Sequence, residues 1–162
     1  MQSSVFYREV LREDNEALAA MIREVFREHK APREGTVFSD PTTDDLYGLF
    51  RRSGSVLWVA EVNGIPKGCC GIYPTEGLAE SCAELVKYYL APLERGRGIG
   101  RKLMEKCIDS ARRTGYRQLY LESLPHFSKA VDIYEKLGFR TLDKPLGNSG
   151  HPSCNIWMLL DL

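Results

Sequence analysis

Residues 84–102 read ELVKYYLAPLERGRGIGRK and lead from a run of strand-forming residues into the beginning of a helix. Branched and aromatic side chains dominate the first part, which predicts a strand over Glu84 to Leu90. Apolar residues then recur four apart from Ile99 onward, which predicts a helix over Gly98 to Thr114 that Gly115 terminates. Glycine occupies positions 96, 98 and 100 between the two. We therefore expect a strand, a glycine-rich loop and a helix in direct succession.

The glycine-rich loop has the composition of a phosphate-binding site. Glycine removes side chains where backbone N–H groups could face a ligand, and the helix start adds unpaired donors and the positive end of its dipole. A dinucleotide fingerprint would require glycine at position 101 or 103, which are Arg101 and Leu103, and a P-loop starting at Gly96 would also require glycine at 101. A dinucleotide enzyme or a nucleoside triphosphatase is therefore disfavoured. Cationic side chains add to the loop's positive charge at Arg95, Arg97, Arg101 and Lys102.

The rest of the chain predicts further strands and helices around this unit. The turn Asn63-Gly64 joins two antiparallel strands, Val56 to Val62 and Ile65 to Tyr73. Gln118 to Glu122 is a strand that must run parallel to Glu84 to Leu90 if the helix between them makes the usual right-handed crossover. The other predicted elements are a strand over Val5 to Val10, an amphipathic helix that Asp14 can cap, a short helix over Asp44 to Arg52, a helix over His126 to Leu137, and strands over Phe139 to Leu142 and Asn155 to Leu160. The fold class is therefore α/β of the α+β type, with a mixed, mainly antiparallel sheet and flanking helices.

Length and charge limit the classes of function. The chain has 162 residues, of which 43% are hydrophobic, and we expect a single domain over residues 1–162. Lysine and arginine total 22, as do aspartate and glutamate, so no overall field attracts nucleic acid. An RNA-binding domain would also need exposed aromatic residues among the basic ones, and the basic cluster is confined to the loop.

The sequence also argues against membrane insertion, disulfide bonds and a metal site. Its longest apolar runs are shorter than a bilayer span, and the beginning lacks the pattern of a signal peptide, so we expect a cytoplasmic protein without membrane partners. Five cysteines without a C-x-x-C pair, and three scattered histidines, indicate neither a disulfide framework nor a metal centre. Cys107 and Cys154 are interpreted as packing residues.

The pattern Arg95-x-x-Gly98-x-Gly100 resembles the Q/R-x-x-G-x-G/A signature of the GNAT acetyltransferases. The likeness extends over residues 56–142 and includes Ala130-x-x-x-Tyr134-Glu-Lys-Leu-Gly-Phe, although Phe127 stands where the family often has asparagine. It implies an acyl-CoA N-acyltransferase-like fold in which the fourth and fifth strands splay apart, with acetyl-CoA as cosubstrate and no metal. The residues that this resemblance assigns to the cofactor are Tyr88, Tyr89, Leu90, Arg95, Gly96, Arg97, Gly98, Ile99, Gly100 and Arg101.

Transfer of an acetyl group to an amine requires a base, because an amine with a pKa of about 10.4 is mostly protonated at neutral pH. Glu84 resembles the catalytic glutamate of the histone-type members, and strand alternation would place it on one face with Val86 and Tyr88. Glu122 resembles the glutamate of the ribosomal-protein members, and both remain candidates. Tyr134 resembles the family tyrosine that protonates the leaving thiolate. His151 is a candidate substrate ligand or alternative base, against the simpler interpretation of a loop histidine.

The predicted function is an N-acetyltransferase in which a bound primary amine of a small molecule or a protein attacks acetyl-CoA directly in a ternary complex. The alternative is a non-catalytic acyl-CoA-binding sensor or partner module. By the resemblance, contacts with the acceptor come from residues 30–52 and 143–155, and the sequence identifies neither the acceptor nor the oligomeric state, so a homodimer stays open.

Overall fold

The computed structural model describes residues 4–162. Its strands are β1 (Val5–Glu9), β2 (Val56–Val62), β3 (Ile65–Tyr73), β4 (Cys82–Leu90), β5 (Gln118–Ser123), β6 (Arg140–Thr141) and β7 (Ile156–Asp161). They form a sheet in the order β1-β2-β3-β4-β5-β7-β6. Within these residues β4 and β5 pair in parallel and the other neighbouring strands pair antiparallel. The predicted mixed, mainly antiparallel sheet is confirmed.

Helices cover both faces of the sheet because each presents one apolar stripe. The helices are α1 (Asn15–Glu28), α2 (Leu46–Leu49), α3 (Ile99–Thr114) and α4 (Ser128–Lys136). Leu18 and Ile22 of α1 and Leu46 of α2 are buried against one face, which we call the α1-side core. Leu103 of α3 and Tyr134 of α4 are buried in the α3-side core on the opposite face. In the described chain, none of these helices is long and apolar enough to cross a lipid bilayer.

The two parallel strands separate soon after they begin to pair. Their register runs from Cys82 opposite Gln118 to Glu84 opposite Tyr120, and the pairing stops there. Strand β4 nevertheless continues to Leu90 and β5 to Ser123. The result is a wedge-shaped gap in the middle of the sheet, with unpaired backbone along its β4 side. This is the splayed arrangement that the resemblance implied.

A β-bulge in β4 changes which side chains face the gap. Cys69 pairs with Tyr89 and Gly71 with Val86, so Lys87 and Tyr88 together lie opposite a single residue. Lys87 has a φ of +58°, which is rare for a residue with a side chain. Val86 contacts the α1-side core, whereas Tyr88 contacts the α3-side core. The prediction that Tyr88 shares a face with Glu84 and Val86 is therefore wrong, because the extra residue reverses the alternation.

Smaller differences from the predicted elements have local causes. Asp14 precedes α1, but its carboxylate does not cap the helix. It accepts two hydrogen bonds from the Arg8 guanidinium at 2.7 and 2.9 Å and one from the Leu11 N–H at 2.7 Å. The helix predicted from His126 begins at Ser128, because Pro125–Phe127 form a separate 3-10 turn. The strand predicted over Phe139 to Leu142 is reduced to the short β6. The turn Asn63-Gly64 joins β2 and β3 as predicted, with positive φ at both residues.

Candidate active site

A cavity of about 650 Å³ lies at the gap between β4 and β5. Its walls come from β4, the end of β5, the loop before α3, α4, and the segments around Thr36 and His151. Along β4, Glu84 and Leu90 are six residues apart, which corresponds to roughly 20 Å of strand. The cavity therefore connects the neighbourhood of Glu84 at one end of the strand with the glycine-rich loop at the other.

The glycine-rich loop has the backbone of an anion site. Gly96 and Gly98 both have a φ of +79°, and a side chain at either would point into open space, so the backbone conformation itself requires glycine. Within the described chain no side chain caps α3, so the first N–H groups of that helix lack a side-chain acceptor. Gly100 differs, because a Cβ atom there would collide with the Tyr88 hydroxyl.

The arginines of the loop are held by carboxylates. Arg95 donates to both carboxylate oxygens of Glu28 at 2.7 and 2.9 Å, and to the Leu90 carbonyl at 3.0 Å. This pairing lowers the pKa of Glu28 and fastens the loop to the end of α1. Arg95 also lines the cavity, so its role at the cofactor stays a prediction. Two further pairs lie nearby, Arg97 with Glu94 at 2.5 Å and Arg101 with Glu105 at 3.1 Å.

Aromatic side chains form the middle of the cavity. Tyr88 packs against Tyr134 with a ring-centroid distance of 5.9 Å, and Tyr89 packs against Phe26 at 5.8 Å. Phe127, where the family often has asparagine, fills the same wall by contacting Phe26. Tyr134 is buried, and no protein group in residues 4–162 hydrogen-bonds its hydroxyl. Burial raises the pKa of Tyr134 well above its usual value, so the hydroxyl keeps its proton at neutral pH.

Glu84 lies where β4 and β5 diverge and its side chain is buried. The Thr75 hydroxyl donates to its Oε1 at 2.6 Å. Burial, helped by the negative charge of Glu122, raises the pKa of Glu84 to about 7, although Thr75 and Lys87 act in the opposite direction. Its Oε2 accepts no hydrogen bond from the described chain. Because every fully buried side-chain oxygen in that part of the chain has a hydrogen-bond partner, Oε2 is not fully buried and is open to the cavity.

Glu122 also lines the cavity, from the end of β5. The Tyr120 hydroxyl donates to its Oε2 at 2.7 Å, and the Ser149 hydroxyl donates to its Oε1. Both carboxylate oxygens therefore already accept a hydrogen bond from the protein, whereas Glu84 keeps one oxygen without a protein donor.

His151 is brought into the cavity wall by the segment before β7. Its Nε2 lies 2.8 Å from a carboxylate oxygen of Asp40, a residue 111 positions away in the chain. Burial and the charge of Lys87 lower the pKa of His151 despite Asp40, which favours the neutral imidazole at neutral pH. The predicted acceptor segments thus meet here, one supplying Asp40 and the other His151.

Two further residues lie at this end of the cavity, and the sequence assigned neither of them a functional role. Lys87 is buried at the bulge, and its left-handed backbone has no sequence signal because it depends on pairing with β3. Cys154 packs against the α1-side core as expected, and it also lines the cavity. Burial raises the pKa of its thiol to about 12. Cys107 is fully buried as expected, and all five cysteines are free thiols. Residues 4–162 contain no cluster of side chains suited to a metal ion.

One cavity joins the glycine-rich loop at the start of α3 to a buried carboxylate where β4 and β5 separate. This arrangement is typical of acyltransferases, and comparison with known proteins agrees. The model of the acetyltransferase (GNAT) family matches residues 13–139. The chain is 37% identical over 162 residues to an Escherichia coli (strain K12) protein described as the uncharacterized N-acetyltransferase YjgM, covering 99% of this chain and 96% of the other.

Solved structures show the same fold. A GNAT-family acetyltransferase from Staphylococcus aureus Mu50 superposes with a TM-score of 0.85 at 22% identity, covering 98% of this chain and 99% of the other. The PaiA N-acetyltransferase of Thermoplasma acidophilum, whose structure contains coenzyme A, superposes with a TM-score of 0.78 at 20% identity, covering 98% and 99%. The chain belongs to the GNAT family and is an acetyl-CoA-dependent acetyltransferase.

Proposed function

We propose that the protein transfers the acetyl group of acetyl-CoA to a primary amine by direct attack of the bound amine. The observation that carries this proposal is that Glu84, Tyr134 and the glycine-rich loop line one cavity. The order of these groups along the cavity matches what the reaction needs. A base lies at one end, a proton donor in the middle and an anion site at the other end.

The loop suits the pyrophosphate of acetyl-CoA. The N–H groups at the uncapped start of α3, together with the helix dipole, would bind the phosphates, and the conformation of Gly96 and Gly98 exposes the backbone for this contact. The edge of β4 that faces away from β3, from Tyr88 to Leu90, has no strand paired to it and would hold the pantetheine arm. An N–H there would stabilise charge on the thioester oxygen. Acetyl-CoA supplies the acetyl group as an activated thioester. The coenzyme A in the Thermoplasma relative supports this assignment.

Glu84 is the better of the two candidate bases. A pKa of about 7 leaves a substantial fraction ionised at neutral pH and makes the carboxylate a stronger base than an ordinary glutamate. Its free Oε2 accepts the proton that the amine loses, directly or through water. Both oxygens of Glu122 are engaged by hydroxyl groups, so Glu122 acts mainly by raising the pKa of Glu84.

Tyr134 gives its proton to the sulfur as the carbon–sulfur bond breaks and the new carbon–nitrogen bond forms. Its hydroxyl is protonated at neutral pH and has no competing acceptor in the described chain. An acceptor that binds as an ammonium loses two protons from its nitrogen. Glu84 passes the first to solvent before the attack, and the loss of the second, as the amide forms, is balanced by the proton that Tyr134 gives to the sulfur. Exchange with solvent then resets both groups. His151, which Asp40 contacts from behind through Nε2, forms part of the wall that would hold the acceptor.

An assay of free CoA release tests this proposal. The protein is incubated with acetyl-CoA and a panel of primary amines that includes amino acids, diamines and peptides, and the rate with acetyl-CoA alone is subtracted as hydrolysis. We expect amine-dependent release and an acetylated product of the expected mass. A thermal shift with acetyl-CoA but no release with any amine would instead favour the non-catalytic acyl-CoA sensor.

A further inference from the structure

Lys87 has no role in the chemistry described above, yet it lines the same cavity. Its side chain is only 6% exposed, and its backbone adopts a left-handed conformation in the middle of a strand. A buried lysine is costly, because removing an ammonium group from water is unfavourable unless a partner compensates. Because burial of Lys87 is unfavourable and its side chain lines the candidate site, we ask which ligand would compensate its charge.

The Lys87 ammonium has no protein partner in residues 4–162. No carboxylate lies within ion-pair distance of it, and no acceptor hydrogen-bonds it. Every fully buried side-chain nitrogen in this part of the chain does have a partner. The Nζ atom must therefore be open to the cavity, and its three donors are available to whatever enters.

The groups that face Lys87 do not neutralise it at close range. Asp40 accepts hydrogen bonds from Thr42 and His151, and Glu84 accepts one from Thr75. The neighbouring thiols of Cys69 and Cys154 stay protonated, because burial raises the pKa of each. Burial lowers the pKa of Lys87, whereas the charges of Asp40 and Glu84 act to raise it. A carboxylate that enters the cavity would stabilise the ammonium form of Lys87, and the carboxylate of Glu84 lies three positions earlier on the same strand.

Building on the acetyltransferase function proposed above, we propose that Lys87 binds the carboxylate of the acceptor, which makes the acceptor a small amino acid. Glu84 and Lys87 lie three residues apart on β4, a backbone separation of about 10 Å. Their side chains carry groups of opposite charge, which suits a molecule with both an ammonium and a carboxylate. The β-bulge makes this possible, since in a regular strand these two residues would face opposite sides of the sheet. The ammonium of the acceptor lies at Glu84 and its carboxylate at Lys87.

Matched acceptors that differ only in the carboxylate test this inference on the unmodified protein. The pairs are lysine with 1,5-diaminopentane, ornithine with 1,4-diaminobutane, and β-alanine with ethylamine, each measured by CoA release at saturating acetyl-CoA. We expect kcat/KM to be at least tenfold higher for the carboxylate member of the pair that reacts best. Equal rates, or faster acetylation of the amines without a carboxylate, would overturn the role of Lys87 and leave the acetyltransferase function intact.

Substitution of Lys87 gives a second test. Lys87→Met also removes a charge that lowers the pKa of Glu84, so we expect some loss with both members of a pair. The ratio of kcat/KM for the amino acid to kcat/KM for its decarboxylated partner should fall by about 10- to 100-fold. Lys106→Met is the control, because this lysine lies over the rings of Tyr7 and Trp58, outside the cavity. An equal loss with both members of a pair would show a structural role and refute the proposal. Absence of CoA release with every amine, despite a thermal shift with acetyl-CoA, would overturn both proposals together.

Discussion

The hydroxyl of Thr75 donates a 2.6 Å hydrogen bond to Glu84 Oε1, from the connection that follows β3. This bond stabilises the ionised carboxylate and so opposes the effect of burial, which raises the pKa of Glu84 to about 7. The basicity of Glu84 therefore depends on a residue that lies outside the strand it occupies.

Thr75→Val should move the pH dependence of the reaction. Loss of the hydrogen bond destabilises the carboxylate and raises the pKa of Glu84 further, so less of the base is ionised at a given pH. We expect the acidic limb of kcat/KM to shift upward by roughly 0.5 to 1 pH unit. A pH profile with the best acceptor measures the shift. Thr114→Val is the matched control, because its hydroxyl bonds only to the Ser110 carbonyl on α3, and an equal shift there would contradict the assignment.

The stability of Glu84→Gln, measured relative to the wild type, should increase as the pH rises. In the folded chain the pKa of Glu84 is about 7, against 4.5 for an ordinary glutamate, so the folded state holds a proton that the unfolded state releases between these values. The free energy of unfolding of the wild type therefore falls as pH rises through this window, by up to roughly 3 kcal/mol. Glutamine does not titrate, so the free energy of unfolding of the variant does not fall for this reason.

Urea unfolding of both proteins at pH 5 and pH 8 measures this difference. The stability of Glu84→Gln relative to the wild type should increase between the two pH values. The exposed Glu105→Gln, measured in the same way, should show no comparable change. A relative stability of Glu84→Gln that does not depend on pH would mean that Glu84 titrates normally.

Gly98→Glu should abolish the thermal stabilisation by acetyl-CoA. The substitution forces a side chain into a backbone with a φ of +79° and brings a negative charge to the start of α3, where phosphate would bind. Gly64→Glu is a matched control, because Gly64 has a φ of +82° and open space around it but lies in the β2–β3 turn, outside the cavity. Thermal shift with and without acetyl-CoA compares the two. If acetyl-CoA stabilised Gly98→Glu as much as the wild type, the loop would not be part of the cofactor site.

Tyr134→Phe should lower kcat by at least tenfold while acetyl-CoA binding changes little. The substitution keeps the ring that packs on Tyr88 and Phe139, and a positioned proton donor typically contributes on the order of 10²- to 10⁴-fold in rate. The loss should shrink with a thioester whose thiol is more acidic, because that thiolate needs less help. Tyr116→Phe, which removes a hydrogen bond to the Gly54 carbonyl away from the cavity, is the control. A kcat of Tyr134→Phe within about twofold of wild type would contradict the role of Tyr134 as a proton donor and leave it with a packing role.

Local signals made much of the fold predictable. The turn Asn63-Gly64 requires a tight hairpin, and the apolar spacing of α3 fits one helical face, so both elements lie within a residue of their predicted bounds. Asp14 was mispredicted as a cap because its carboxylate accepts hydrogen bonds from Arg8 on β1 and from the Leu11 N–H instead. A competing partner of that kind cannot be identified from the residues around the helix alone.

The sequence by itself determined the strand, loop and helix that form the proposed phosphate site, because glycine spacing and apolar periodicity act over a few residues. The resemblance to the GNAT family indicated Glu84, Glu122 and Tyr134 as candidates. Only the tertiary structure decided which carboxylate keeps a free oxygen, since Glu122 is engaged by Ser149, 27 residues away. It alone decided that Asp40 meets His151, and that Lys87 faces the cavity. The physical reason is that a bulge in β4 depends on its pairing with β3, and pairing between distant segments leaves no periodic signal in the chain.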